Sequence, residues 1–221
     1  MIGILAASED ELQPVLDAML IHELGRKSRL VFHVGTVGGI EAVAAFSGVG
    51  KVNAAIAAQC MIDLFNPARL YVTGVAGALG GPYGIGDTVL VRRVAHHDLE
   101  PGVLTAYHPF MPSEWYELAS IHPDLASSCG IAEATLVCGE FFVTQADKLR
   151  LREAFGAQCV DMESAAYAQV CYANDTPLTI IKTVTDQCDE NGFENFEKNV
   201  AHCSTISATT LLGLIGREHA A

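Results

Sequence analysis

The chain has 221 residues, enough for one large α/β domain or two small ones, and no linker-like stretch divides it, so a single domain over 1–221 is expected. Half of its residues are hydrophobic and only 18% are charged, below the roughly 25% of an average soluble domain, which suits a sheet buried on both faces. A net charge of −13 repels a phosphate backbone or an anionic lipid surface, and no apolar run is long enough for a membrane span, which argues against nucleic-acid and membrane partners.

The elements follow in order. Ile2 to Ala6 reads as a buried strand with no signal peptide ahead of it, and an amphipathic helix runs on to about Met19. Between them stands Ser8-Glu9-Asp10-Glu11. Ser8 as N-cap and Glu11 three residues on form a capping box, which accounts for the acids. A strand end feeding a helix start is also a catalytic location, so Glu11 keeps both readings. Leu30 to Thr36 and Ala42 to Ser47 read as a hairpin turning at Gly38-Gly39. Gly48-Val49-Gly50-Lys51 then precedes an Ala-rich helix, Val52 to Leu64. Its spacing is not that of a phosphate-binding Walker loop, and a tight strand-to-helix turn is expected.

Arg69 to Thr73 is a strand, and Gly74-Val75-Ala76-Gly77-Ala78 reads as a glycine-rich turn that lacks the dinucleotide fingerprint. Asp87 to Val94 is the next strand. The adjacent His96 and His97 would point to opposite faces, so packed histidines are expected rather than a metal site. Leu99 to Pro123 is long and rich in proline and aromatics, as in a lid or an interface loop. Ala134 to Val143 is a strand, with Thr144 capping a short helix and Asp147 as its box partner. Asn191 to Asn199 is a polar segment before a closing helix from about Val200 to Ile215. The seven cysteines (60, 129, 138, 159, 171, 188, 203) lack paired spacing and read as reduced thiols of a cytoplasmic protein.

The chain is organised around Cys159 to Asp186. Asp161 and Glu163 open a small-residue helix, and Leu178 to Val184 is a buried strand that delivers Asp186 at its C-terminal end. Beyond the strand ends of a parallel sheet is where ligands bind, and two carboxylates delivered there by different elements suit acid–base chemistry. Alternating strands and helices predict a three-layer α/β/α fold with a mixed, mainly parallel central sheet.

Seven short motifs in order carry a resemblance across nearly the whole chain: Gly3 to Ala7 with the acids up to Glu11, Ser47 to Val52, Thr73 to Gly77, Gly86-Asp87, His97-Asp98, Val160 to Glu163, and Thr185-Asp186. The chain resembles the nucleoside phosphorylase/hydrolase superfamily and, within it, the bacterial 5′-methylthioadenosine/S-adenosylhomocysteine nucleosidases. The resemblance implies a nucleoside phosphorylase-like fold, no cofactor or metal, a homodimer, and hydrolysis of a ribose–adenine bond. Asp186 matches the general acid serving adenine N7, Glu163 the carboxylate that holds the ribose hydroxyls, and Glu11 the group that activates water. Phe142 matches the aromatic stacked on adenine and Val143 the residue whose backbone holds the base edge. Met162 matches the ribose floor, and Val49 and Phe196 the alkylthio pocket; Met162 and Val49 are equally explained as core packing. Val75, Ala76, Gly77 and Asp161 complete the expected substrate contacts, with Lys182 near the water.

Val72 stands where phosphorylases of the superfamily carry a phosphate-binding arginine, so hydrolysis is expected. The chain departs from its relatives at Val75, where a serine or threonine hydroxyl would meet the acid, leaving Thr185 or a backbone amide to do so. Lys182 replaces an arginine and Ser8 a methionine. Hydrolysis of futalosine or aminodeoxyfutalosine, purine nucleoside phosphorolysis, and a non-catalytic nucleoside-binding protein are the competing readings.

Overall fold

Strand β1 (Ile2–Ala6) shows how the central sheet is clothed on both faces. Ile2, Ile4 and Ala6 join one apolar cluster with Leu12 and Val15 of α1 (Glu9–Ala18) and Leu211, Leu214 and Ile215 of α5 (Gly192–Glu218). Leu5, pointing the other way, joins Ala54, Ala57 and Met61 of α2 (Lys51–Phe65) and Ala165 and Tyr167 of α4 (Ser164–Ala173). Helices therefore cover both sides of a sheet, the three-layer arrangement expected from the sequence. This computed structural model describes residues 1–99, 113–118 and 130–220.

The sheet order is β2 (Met19–Lys27), β3 (Leu30–Val37), β4 (Ile40–Phe46), β1, β5 (Leu70–Val72), β11 (Leu178–Asp186), β6 (Val75–Ala78), β10 (Cys159–Asp161), β9 (Ala132–Cys138), β7 (Thr88–His96) and β8 (Tyr116–Glu117). Six of its pairings are parallel and five antiparallel, so the sheet is mixed. Strand β11 is its pivot and every residue of it is buried. Its first half pairs with β5, its second half with β6, and Ile181 to Thr183 also pair with β7. Strands β11, β6, β10, β9 and β7 thus close on themselves, and the site lies at one end of this ring.

Several expected elements differ. Met19–Lys27 is a strand that the sequence does not announce, because it is an edge strand with almost every residue exposed and so carries no alternation. Val75–Ala78 is a buried strand, not a turn; paired on both sides, it accepts only small residues. The strand expected over Ala134 to Val143 stops at Cys138, where a Cβ on Gly139 would collide with the His97 ring. Cys159–Asp161 is a short strand, and the helix behind it begins at Ser164. Thr144 does occupy the N-cap of α3 (Gln145–Phe155), but its side chain makes no capping bond. The closing helix starts eight residues early, at Gly192; Phe193, Phe196 and Val200, at helical spacing, were the signal. Of the Leu99 to Pro123 loop, 100–112 and 119–123 lie outside the described residues. The turn at Gly48 and Gly50 is present, both glycines having positive φ (+88° and +98°).

Candidate active site

Glu11, Glu163 and Asp186 line a single cavity of about 330 Å3 at the strand ends. Each acid arrives from a different element and is held by the backbone around it. Glu11 sits in the first turn of α1, where the capping box forms as expected: Ser8 Oγ accepts the Glu11 N–H, while Glu11 Oε2 accepts the Ala7 and Ser8 N–H groups at 2.9 Å. Its other oxygen accepts the Val75 N–H at 2.8 Å. Capping and a place on the cavity wall coexist because the two oxygens face different neighbours. Gly74, between β5 and β6, has no room for a Cβ: it would strike Glu11 Oε1.

Glu163 occupies the N-cap of α4, and its Oε1 accepts the Gly50 N–H at 2.8 Å, tying that helix to the start of α2. The neighbouring Lys51 N–H donates to Glu140, so two carboxylates satisfy the open N-terminus of α2. Asp161 ends β10 and caps α4 in turn, accepting the Ser164 N–H at 3.1 Å and the Ser164 hydroxyl. Its Oδ2 also meets Lys182 Nζ at 2.9 Å, an ion pair with both side chains almost wholly buried. Lys182 does not reach the cavity wall. It projects from the middle of β11 and stands behind the wall as the counter-charge of the acids.

Burial disfavours the Lys182 ammonium, but Asp161, Glu11 and Glu163 more than compensate and hold its pKa above the ordinary lysine value. One cation cannot balance three buried carboxylates. Burial, then repulsion by Asp161, pushes Glu163 up to about 8, against the pull of Lys182. The folded protein therefore binds a Glu163 proton that the unfolded chain releases above about pH 4.5. That contribution to stability is complete below this pH and is lost as pH rises through about 8. Urea titrations from pH 5 to 9 should show stability falling with pH, and Glu163→Gln, which keeps an acceptor for Gly50, should flatten that slope. A slope unchanged in Glu163→Gln would rule out Glu163 as its source.

Asp186, the last residue of β11, has its pKa raised by burial, against the hydrogen bonds it accepts. The Cys188 N–H donates to Oδ1 at 2.9 Å and the Thr185 hydroxyl to Oδ2 at 3.0 Å. These are the substitutes that the apolar Val75 demanded. The rest of the wall is mainly apolar. Phe142 meets Phe193 and Phe196 edge-on, with ring centroids 5.7 and 6.0 Å apart, and Val49, Val75, Ala76, Gly77, Val143 and Met162 also border the space. Phe141, Cys188, Phe193 and Val200 stand on the wall as well and were not anticipated. No arginine or lysine is among the described lining residues.

The two histidines beside this region are packed. His96 Nε2 pairs with Gln169 at 3.2 Å and burial pushes its pKa down to about 4, while His97 lies edge-on to Phe141.

A family model described as the phosphorylase superfamily matches residues 1–216. The chain belongs to the phosphorylase superfamily. Among members of the superfamily, it is 33% identical over 216 residues to the 5′-methylthioadenosine/S-adenosylhomocysteine nucleosidase of Thermotoga maritima, covering 97% of this chain and 98% of that protein. It is 30% identical over 223 residues to the aminodeoxyfutalosine nucleosidase of Campylobacter jejuni, covering 96% of each. The 5′-methylthioadenosine/S-adenosylhomocysteine nucleosidase of Neisseria meningitidis, in complex with methylthio-immucillin-A, has the same fold, with a TM-score of 0.90 at 28% identity over 98% of both chains. In this member of the phosphorylase superfamily Val72 is wholly buried in β5.

Proposed function

We propose that the chain hydrolyses the N-glycosidic bond of 5′-methylthioadenosine and S-adenosylhomocysteine, releasing adenine. The observation that carries this reading is the meeting of Glu11, Glu163 and Asp186 on one mainly apolar cavity of nucleoside size. Breaking a ribose–adenine bond requires a proton on the departing purine and stabilisation of an oxocarbenium-like sugar. Burial raises the pKa of Asp186, which favours the protonated form that gives a proton to N7. Glu163 holds the ribose hydroxyls, and Glu11, oriented by three backbone N–H groups, accepts a proton from the attacking water. Phe142 stacks on the base, Val143 holds its edge by its backbone, Val75, Ala76 and Gly77 lie along its other side, and Met162 lies under the sugar. Val49 and Phe196 receive the 5′ substituent, while Asp161 and Lys182 fix the charge state behind them.

Hydrolysis is favoured over phosphorolysis by electrostatics. Phosphate would find no arginine or lysine among the described lining residues, and the nearby Lys182 is already engaged by Asp161. A non-catalytic binder would have no use for three acids around an uncharged sugar. The Campylobacter jejuni relative favours a second reading, an aminodeoxyfutalosine or futalosine hydrolase using the same machinery. The chain acts as a cytoplasmic homodimer. The six described cysteines are unpaired, as in a reducing compartment, and Val49, Val52 and Ile56 expose apolar surface beside the cavity mouth. No helix among the described residues is long and apolar enough to cross a membrane. The deciding experiment incubates the protein with methylthioadenosine, S-adenosylhomocysteine, aminodeoxyfutalosine, futalosine and adenosine, with and without phosphate. Adenine released from the first two without phosphate is the expected result; release only with phosphate would overturn it.

A further inference from the structure

The turn after β11 holds a residue in a backbone conformation that its side chain disfavours. Cys188 has φ of +48°, in the left-handed region where residues other than Gly, Asn and Asp are uncommon. That conformation brings the amide and the thiol of one residue to one carboxyl group. The Cys188 N–H donates to Asp186 Oδ1 at 2.9 Å, and its thiol lies beside the same carboxyl group, each shifting the other's titration. The neighbourhood is closed around this contact. A Cβ on Gly77 of β6 would stand 2.5 Å from Cys188 Sγ and 3.0 Å from Asp186 Oδ1, so only glycine lets thiol and acid share the space. The turn itself is tied down: Lys148 Nζ of α3 donates to the Gln187 carbonyl, and Gln187 Nε2 donates to the Tyr83 carbonyl at 3.2 Å. Cys188 is buried and stands on the cavity wall beside the acid.

We propose that Cys188 is a positioning residue for the acid: its thiol orients the Asp186 carboxyl group and stabilises the anion left when the proton passes to the base. The proposal rests on the reading of Asp186 as the proton donor. A hydrogen bond donated to a carboxylate favours its charged form, so the thiol opposes the effect of burial. Burial, then the Asp186 charge, hold the thiol itself protonated and therefore a donor rather than a nucleophile. The other groups that face this pair are the Thr185 hydroxyl on β11, Asp189 in the same turn, Lys148 from α3 and Cys159 from β10.

The test compares Cys188→Ala, which keeps the backbone N–H and loses the thiol, with Cys188→Ser, which keeps a side-chain donor. The basic limb of the kcat/KM profile reports the acid. In Cys188→Ala it should move up by about half to one pH unit; in Cys188→Ser it should lie at or below the wild-type position. A direct reading comes from the carboxyl 13C resonance of Asp186, assigned through Asp186→Asn, whose titration should move in the same way. Coincident titrations for wild type and Cys188→Ala, or equal upward shifts in both variants, would overturn the proposal. Should the wild type release no base from any nucleoside, the reading of Asp186 as proton donor fails, and the carbon titration still decides whether the thiol tunes the carboxyl group.

Discussion

Asp186→Asn is expected to lower base release by roughly 10²- to 10⁴-fold, the usual worth of a positioned proton donor, while leaving the protein folded. Asparagine has the shape of aspartic acid and retains an acceptor for the Cys188 N–H, and its amide can donate to the Thr185 hydroxyl, so the local hydrogen bonds persist. What disappears is the transferable proton. Because burial penalises the ionised form of Asp186, wild type loses stability as pH rises above the ordinary carboxylate range, and the variant, which has nothing to ionise there, should gain on wild type with rising pH. Adenine release measured with thermal unfolding checks both halves. Unchanged turnover in a folded Asp186→Asn protein would remove this residue from the chemistry.

Lys182→Met should have the largest effect on stability. The substitution keeps the length of the chain but leaves Asp161 without its ion-pair partner and Glu11 and Glu163 without a nearby positive charge. Removing one member of a buried pair typically costs about 3–5 kcal/mol, because the remaining charge is left uncompensated in a poor solvent. The loss should grow with pH. Glu163, already pushed up by burial and Asp161, loses the opposing pull of Lys182 and binds its proton still more tightly in the folded state, so ionising it weighs increasingly against folding. The double variant Lys182→Met, Asp161→Asn, which removes both charges, should be less destabilised than Lys182→Met alone. Urea denaturation at pH 6 and pH 8 tests this; a deficit below about 1 kcal/mol in Lys182→Met would show that the pair is not the neutralising element inferred here.

Much of this was legible without coordinates, and the exceptions share a cause. Strands β1 and β11 are buried along their whole length and helix α2 turns Ala54, Ala57, Ala58 and Met61 to the core, so their composition announces them. Strand β2 is exposed and exists only because β3 offers it a hydrogen-bonding edge. Strand β6 looked like a turn because its small residues answer to crowding by β10 and β11, not to a bend of the chain. The first turns of α5 looked polar because most of their side chains face solvent, with Phe193 and Phe196 turned to the site.

The residues of the site divide in the same way. The capping box at Ser8 and Glu11 and the carboxylates at the start of α4 and the end of β11 are readable because spacing and chemical type are local, whereas the choice of three acids and the meaning of Val72 came through the resemblance to a family. Which atoms face each acid is not local. That Lys182 neutralises from behind the wall, that Glu163 reaches the Gly50 amide, and that Cys188 turns left-handed to meet Asp186 depend on β11 pairing with three neighbours and on the turn tied down beyond it. Sequence encodes how much burial each segment seeks. The electrostatic balance of a buried site is set by distances between segments, and only the closed sheet brings those segments together.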